Sequence, residues 1–321
     1  SPLRVSFFGG GTDIPKFYNK YGGTVISTAI KRYIYVSVKE LNEAYKEKFR
    51  LNYSITEKRQ EIASIKNNII RESLKSMNIN SKLYISTIAD VPLRSGLGSS
   101  SAFTAGLISA LAHKNKIKLS KKNLAEVSCD IEINKLKNPI GKQDQYASVY
   151  GGINRFDFKK DNKVTRKKID LSDDFKNDFE NSFLLLWSGI QRSANKVLLD
   201  QSNNISRKID YYNEMKKIAM DGHKIFAESK FNILKFSELL DESWKIKKSL
   251  SAKIENKKTR YILDKAKSAG ALSYKVCGAG NGGFILLCAR HNTHKDIISS
   301  LKNHTFHKFK ISDEGTKTFE V

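Results

Sequence analysis

Cysteine and long apolar runs are scarce in this 321-residue chain. Its three cysteines, Cys129, Cys277 and Cys288, lie far apart and form neither a C-x-x-C pair nor a spacing typical of zinc ligands. We therefore expect reduced thiols, a core that needs no disulfides and a cytoplasmic location. No apolar stretch approaches the ~20 residues that a membrane-spanning helix needs, so we expect no membrane partner.

Several common nucleotide-binding signatures are missing as well. The sequence has no G-x-x-x-x-G-K-[ST], because Gly98 is followed by serines without the required lysine, and this excludes an ordinary P-loop NTPase. The H-R-D and D-F-G elements of protein kinases are absent. No G-x-G-x-x-G precedes a suitably spaced acidic residue, which excludes a standard dinucleotide-binding unit.

Acidic residues are few relative to basic ones, which gives a net charge of +24 and a pI of about 9.7. A nucleic-acid surface is one interpretation of such a charge. The lysines are nevertheless scattered, and their densest run, residues 114–122, has no interleaved aromatic residues. We favour dispersed, solvated lysines, with attraction of polyanionic substrates as a further interpretation. A basic nucleic-acid-binding protein remains the non-enzyme alternative.

The hydrophobic pattern alternates between helix and strand periods, without repeats or low-complexity linkers. It predicts strands at residues 33–41, 83–91, 182–187, 272–277, 284–289 and 306–311, and helices at 57–79, 99–112, 193–199, 205–228, 236–250, 257–269 and 295–302. The mixture indicates an α+β fold with antiparallel pairs. We expect two closely fused lobes, residues 1–170 and 171–321.

Two glycine-rich stretches, residues 94–102 and 277–284, are typical of a phosphate-binding cradle. The first leads directly into a predicted helix, whose unpaired N–H groups and positive dipole end attract anions. Gly96 and Gly98 let the backbone approach a polyphosphate, and Ser99 and Ser100 offer hydroxyls to phosphate or Mg²⁺. A triphosphate fits this geometry.

Two carboxylates suggest chemistry next to that cradle. Asp144 lies in a loop marked by Pro139 and Gly141, and Glu132 lies on a probable helix twelve positions earlier. One acid could take a proton from a substrate hydroxyl while the other holds a metal ion. Taken alone, either acid is more often an ordinary surface residue.

A third glycine-rich segment, Phe-Phe-Gly-Gly-Gly-Thr-Asp at residues 7–13, completes an ordered set with the stretch at 92–102, Gly-Lys-Gln-Asp-Gln at 141–145 and Gly-Ala-Gly-Asn-Gly-Gly-Phe at 278–284. This set resembles the GHMP kinases over nearly the whole chain. Within them, the first and third segments are most similar to D-glycero-D-manno-heptose 7-phosphate kinases, with fucokinase-like sugar kinases close behind.

The resemblance implies a two-lobed fold, with an N-terminal lobe like ribosomal protein S5 and a ferredoxin-like C-terminal lobe, and it implies ATP and Mg²⁺ as cofactors. Asp144 matches the catalytic aspartate and Arg4 its cationic neighbour, while Ser100 and Glu132 match the metal ligands. The implied ATP-binding residues are Arg94, Ser95, Gly96, Leu97, Gly98, Ser99, Ser100 and Ser101. The implied substrate-binding residues are Gly10, Gly11, Thr12, Asp13 and Gly280, with Lys142 and Arg192 as candidates for a substrate phosphate.

The activity implied is phosphorylation of the heptose 7-phosphate at C1 to the 1,7-bisphosphate, in nucleotide-activated heptose synthesis for lipopolysaccharide or capsule. An L-fucose-type sugar-1-kinase is the nearest alternative. Two departures from the family pattern are Ser101, where alanine is usual, and Asn281, where glycine is common; asparagine tolerates a left-handed backbone, so we expect the loop to survive. The oligomeric state, monomer or homodimer, stays open.

Overall fold

A computed structural model of the protein describes residues 1–191 and 194–320. The N-terminal lobe is built on a seven-stranded sheet of β1 (Pro2–Phe8), β2 (Gly23–Glu40), β3 (Phe49–Asn52), β4 (Thr56–Arg59), β5 (Leu83–Ala89), β6 (Ile153–Phe158) and β7 (Val164–Ile169). Its helices are α1 (Pro15–Tyr21), α2 (Asn68–Ser76), α3 (Ser99–Lys114), α4 (Lys121–Cys129) and α5 (Gln143–Tyr150). A π-helix, Asp130–Lys135, follows α4 directly.

The long strand β2 pairs with three other strands of this sheet. Its first half pairs with β1 and β6, and its second half pairs with β5. The predicted alternation at residues 33–41 matches the second half, but the eight residues from Gly23 are all buried. A strand covered on both faces loses the period-2 pattern, which is why the sequence did not indicate it.

The C-terminal lobe contains α6 (Asp173–Asn181), β8 (Phe183–Trp187), α7 (Ala194–Asn204), α8 (Ile209–Ile225), α9 (Ile233–Leu250), α10 (Lys257–Ser268), β9 (Ala271–Val276), β10 (Phe284–Ala289), α11 (His294–Ser300) and β11 (Thr305–Lys308). Its antiparallel sheet has the order β11-β8-β10-β9, which is the strand order of a ferredoxin-like core. The predicted pairing across the second glycine stretch is confirmed, and so is the two-lobed α+β class.

The predicted helix at residues 57–79 is wrong in its first half. Strand β4 and a 3₁₀ turn at Ile62–Ser64 occupy that part, and α2 begins only at Asn68. The buried Glu57 carboxylate accepts the backbone N–H groups of Lys66 and Asn67, which holds the chain in a loop there. Asn67 then caps α2 by accepting from the N–H of Ile70.

The two lobes share one hydrophobic core. Phe7, on β1, inserts into an aromatic cluster of the C-terminal lobe, with its ring centroid 5.4 Å from those of Phe179 and Phe236. Residues 312–316 also return to the N-terminal lobe, where the N–H of Gly152 donates to Ser312 O. The boundary at residue 170 stays a prediction. No helix in the described residues is both long and apolar enough to cross a bilayer.

Candidate active site

Arg4 and Asp144 form a bidentate ion pair. Arg4 Nε donates to Asp144 Oδ1 at 2.7 Å, and Nη2 donates to Oδ2 at 2.6 Å. Arg4 is held on β1 and is 4% exposed, whereas the Asp144 side chain is 24% exposed at the head of α5. Paired geometry of this kind fixes both planes and leaves further carboxylate lone pairs for a ligand. The structure therefore brings together the two predicted catalytic residues, with the acid facing the open side.

Three consecutive residues at the start of α5 bind three different parts of the site. Gln143 donates from its backbone N–H and its side-chain amide to Asp13, and Asp144 pairs with Arg4. Gln145 Nε2 donates to Glu132 Oε2 at 2.7 Å. One helical turn thus fixes the N-terminal motif, the catalytic pair and the candidate metal ligand relative to one another.

Glu132 and Ser100 meet as predicted. Ser100 Oγ donates to Glu132 Oε1 at 2.6 Å, and Glu132 is fully buried on the π-helix. Burial raises the pKa of Glu132, and the hydrogen bonds from Ser100 and Ser101 oppose the shift. Within residues 1–191 and 194–320 no lysine or arginine forms an ion pair with this carboxylate.

These residues fit a hydrated Mg²⁺ ion. No group of three or more His, Cys, Asp or Glu side chains is placed to enclose a metal in the described chain. Mg²⁺ is nevertheless commonly held by one or two carboxylates together with substrate phosphates and water. The buried Gln145 Oε1, which has no hydrogen-bond partner, adds an acceptor on the residue that holds Glu132.

The first glycine stretch forms a helix start that is suited to binding an anion. Gly98 adopts a left-handed conformation, with φ 76°, immediately before α3, and no side chain caps that helix. The first N–H groups, those of Ser99, Ser100 and Ser101, therefore have no intrahelical acceptor. Among the other predicted ATP-binding residues, Ser95 and Leu97 are buried and Arg94 is exposed.

The second glycine stretch packs directly on the first. The N–H of Phe284 donates to Ser95 O at 2.8 Å, and a Cβ on Gly278 would lie 2.8 Å from Gly96 O. Gly280 lies against Ile254, away from that contact. Asn281 has φ 64°, so the expected left-handed backbone is confirmed. The two stretches form one continuous wall between the lobes.

The comparisons with known families agree with this arrangement. The description "GHMP kinases N terminal domain" matches residues 62–152, and "GHMP kinases C terminal" matches residues 228–307. Together they match more than half of the chain. The chain belongs to the GHMP kinase family. It is accordingly an ATP-dependent phosphotransferase, as the motifs indicate.

Individual relatives cover this GHMP kinase almost completely. It is 26% identical to the D-glycero-alpha-D-manno-heptose 7-phosphate kinase of Campylobacter jejuni, over 100% of this chain and 98% of the relative. It is 23% identical to the L-fucokinase/L-fucose-1-P guanylyltransferase of Bacteroides fragilis, over 90% of this chain but 34% of that protein. A D-glycero-D-manno-heptose 1-phosphate kinase structure from Bacteroides thetaiotaomicron superimposes with a TM-score of 0.80 at 22% identity, covering 99% and 98% of the two chains.

The predicted substrate segment of this GHMP kinase is tightly hydrogen-bonded. Asp13 is 2% exposed and accepts from Gly11 N–H at 2.9 Å and from Gln143, and burial raises its pKa. Thr12 Oγ1 donates to Gly9 O and Thr24 O. In this structure the side chains of Asp13 and Thr12 fold the segment, and Gly10 and Gly11 are buried within it. Their contact with a substrate stays a prediction.

The two cations predicted for a substrate phosphate are not equally accessible. Lys142 Nζ donates to Glu126 Oε2 at 3.0 Å and to Asn162 O, and it is 5% exposed. Its ammonium group is therefore already engaged away from Asp144. Arg192 lies outside the described residues. Binding of the substrate phosphate by Lys142 or Arg192 stays a prediction.

Sequence reasoning missed two residues at the site. Lys275 is buried on β9 and donates to Ser6 O and Phe7 O of β1. Tyr212, on α8, is fully buried and lies 3.4 Å from the position that a Cβ on Gly11 would take. The only sequence signal for Lys275 is that a charged residue interrupts a predicted strand just before the second glycine stretch. Tyr212 has no local signal, because helix packing alone brings it to Gly11.

Proposed function

We propose that this enzyme transfers the γ-phosphoryl group of ATP to the C1 hydroxyl of D-glycero-D-manno-heptose 7-phosphate, giving the 1,7-bisphosphate and ADP. The observation that carries the proposal is the Arg4–Asp144 pair, with a partly open carboxylate beside the anion-binding start of α3. A positioned carboxylate next to a bound triphosphate supports attack by a hydroxyl on the terminal phosphorus.

In the proposed reaction, Asp144 accepts the proton of the C1 hydroxyl as its oxygen forms a bond to the γ-phosphorus. The bond from that phosphorus to the β,γ-bridging oxygen breaks, and ADP leaves with the electron pair. Arg4 keeps the carboxylate in one orientation through two N–H donors, while its third nitrogen, Nη1, donates to Gly96 O at 2.8 Å. That cation also favours the charge that spreads over the transferring group.

Mg²⁺ would be held by Glu132 and Ser100, which contact each other beside the start of α3. When bound, it supplies neutralisation of the phosphate charge. Gln145 orients Glu132 from the residue next to Asp144, so the metal ligand and the base share one rigid support.

The choice of heptose is supported by the relative from Campylobacter jejuni, which aligns over the full length of the chain. Two bifunctional fucokinases, at 23% and 22% identity, support an L-fucose-type sugar-1-kinase as the second candidate. Activated heptose of this kind serves surface polysaccharide synthesis, in lipopolysaccharide or capsule, and we propose that role and a cytoplasmic location for the enzyme.

The test is a substrate panel with purified enzyme, ATP and Mg²⁺. Heptose 7-phosphate, heptose 1-phosphate, L-fucose and galactose are each added, and ADP release is measured. We expect heptose 7-phosphate to give the highest kcat/KM, and ³¹P NMR to show a new C1 phosphate. Turnover only with an unphosphorylated sugar would contradict the proposal and favour the fucose-type alternative.

The phosphate-binding residue can be identified with the same assay. If Arg192 binds the 7-phosphate, Arg192→Ala raises KM for the sugar phosphate without changing KM for ATP. Lys142→Met is the comparison, since its ammonium group pairs with Glu126. An unchanged sugar KM in both variants would remove both residues from the phosphate site.

A further inference from the structure

The free edge of β1 lies against the C-terminal lobe. Within the described residues β1 pairs with one strand only, β2, so its other edge has no strand partner. The pairing is irregular between Ser6 and Phe8, which is the mark of a bulge that leaves a backbone group outside the ladder. Backbone carbonyls left at such an edge need other donors when they are buried.

Lys275 supplies those donors from the other lobe. Its Nζ lies 2.6 Å from Ser6 O and 2.8 Å from Phe7 O, and the residue is 7% exposed. Lys275 lies on β9, which is itself the edge strand of the C-terminal sheet. A single side-chain amino group therefore connects two sheet edges from different lobes.

The same edge of β1 carries the catalytic cation. Arg4 is two residues before Ser6, and its backbone N–H donates to Leu97 O of the first glycine stretch at 3.0 Å. Arg4 Nη1 donates to Gly96 O, and Gly278, three residues after Lys275, packs on that carbonyl. The contacts thus form a closed circuit from Lys275 through β1 to Arg4, then to Gly96, and back through Gly278 to β9.

We propose that Lys275 is a positioning residue, which fixes β1 against the C-terminal lobe so that Arg4 presents Asp144 correctly to the reacting hydroxyl. Lys275 does not touch the reacting atoms in this scheme. Its amino group holds the strand, the strand holds Arg4, and Arg4 holds the base. Removing the amino group leaves two buried carbonyls without these donors and lets β1 shift relative to the glycine wall.

The main test variant is Lys275→Met, with Lys267→Met as the matched control. Lys267 also donates to a backbone carbonyl, Leu272 O at 2.7 Å, but it is exposed and lies outside the circuit. Hydrogen exchange of the Arg4 amide is measured in both apo variants. We expect faster exchange of that amide in Lys275→Met only, with the amides of β10 unchanged.

The kinetic part of the test rests on the function proposed above. We expect kcat of Lys275→Met to fall by about 10- to 100-fold, because small displacements of catalytic groups have effects of that size. KM for ATP and for the sugar should stay within about three-fold, since neither ligand loses a direct contact. The control should match the wild type.

The outcomes separate the two proposals. If no sugar supports turnover in the wild type, the proposed function fails, and the exchange of the Arg4 amide still decides the role of Lys275. A lower Tm with wild-type kcat and unchanged Arg4 exchange would overturn the positioning role. If Lys275→Met does not fold, Lys275→Gln, which keeps an amide donor on a shorter stem, is measured in the same way and judged by the same outcomes.

Discussion

A Cβ on Gly278 would lie 2.8 Å from the carbonyl oxygen of Gly96, so the two glycine stretches from opposite lobes are in direct backbone contact. Gly278 also has φ 68°, which L side chains rarely adopt. The contact explains why two stretches far apart in sequence form one wall. It also means that the first glycine stretch, the predicted ATP-binding segment, is positioned in part by the C-terminal lobe.

Gly278→Ala should therefore affect ATP binding as well as stability. We expect a loss of about 1–3 kcal/mol in the free energy of unfolding from backbone strain and an increased KM for ATP. Gly152→Ala is the control, because it has φ 66° but its nearest neighbour would be 3.7 Å away. An ATP KM that rises equally in both variants would show that crowding of Gly96 is not the cause.

Asp144→Asn should lose most turnover, with a decrease in kcat of about 10²- to 10⁴-fold, because asparagine keeps the shape but cannot accept the proton. Asp157→Asn tests whether loss of an ion pair alone has this effect, since Asp157 pairs with Arg155 at 2.9 Å outside the site. The measurements are steady-state kinetics and circular dichroism. Retention of wild-type kcat in folded Asp144→Asn would remove the base role.

Glu132→Gln should weaken metal binding without lowering the stability of the metal-free protein. The substitution removes a buried charge that has only neutral hydrogen-bond donors, so we expect the metal-free variant to have an equal or higher Tm. Binding of Mn²⁺ in the presence of ADP, followed by electron paramagnetic resonance, should weaken by at least about 10- to 100-fold. Unchanged Mn²⁺ affinity would mean that Glu132 is not a metal ligand.

Lys275 should make stability depend on pH in the neutral to alkaline range. Burial, with a further contribution from nearby Lys247, lowers the pKa of Lys275 to about 7, against 10.5 for an ordinary lysine. Between these values the unfolded chain binds more protons than the folded one, so stability rises with pH. The free energy of unfolding therefore decreases as the pH falls from 10 to 7.

Denaturant titrations at pH 7, 8 and 9 on the wild type and Lys275→Met measure the contribution of Lys275 to the pH dependence of stability. We expect the free energy of unfolding to rise more steeply with pH in the wild type than in the variant, since other titrating groups are common to both. Parallel curves would show that the pKa of Lys275 is not lowered in the folded protein.

Local sequence patterns predicted much of the C-terminal lobe. Strand β10 has the predicted bounds, and β9 and α10 agree within one residue at each end, because Gly270 separates α10 from β9 and the second glycine stretch separates β9 from β10. The motif residues Arg4, Ser100, Glu132 and Asp144 were also identifiable, and the structure joins them in the expected pairs. The order of the motifs along the chain is enough to identify these four residues, because it does not depend on how the chain packs.

Other features depend on contacts between distant segments, and no local pattern encodes them. The buried first half of β2 loses its alternation, and the loop after β4 is held by Glu57 rather than by its own helical periodicity. Asp13 is similar: the family resemblance implies a sugar contact, which stays a prediction, and only the structure places its carboxylate against Gly11 and Gln143.

The sequence alone determined the family and the class of chemistry, and it supplied the candidate site residues, because these depend on residue types at particular places along the chain. Only the tertiary structure decided how the lobes meet: Phe7 in a C-terminal aromatic cluster, Gly278 on Gly96, and Lys275 on the free edge of β1. The physical reason is that a buried carbonyl or a tight backbone contact is satisfied by whichever segment folding brings to it, and residues hundreds of positions apart leave no shared local pattern.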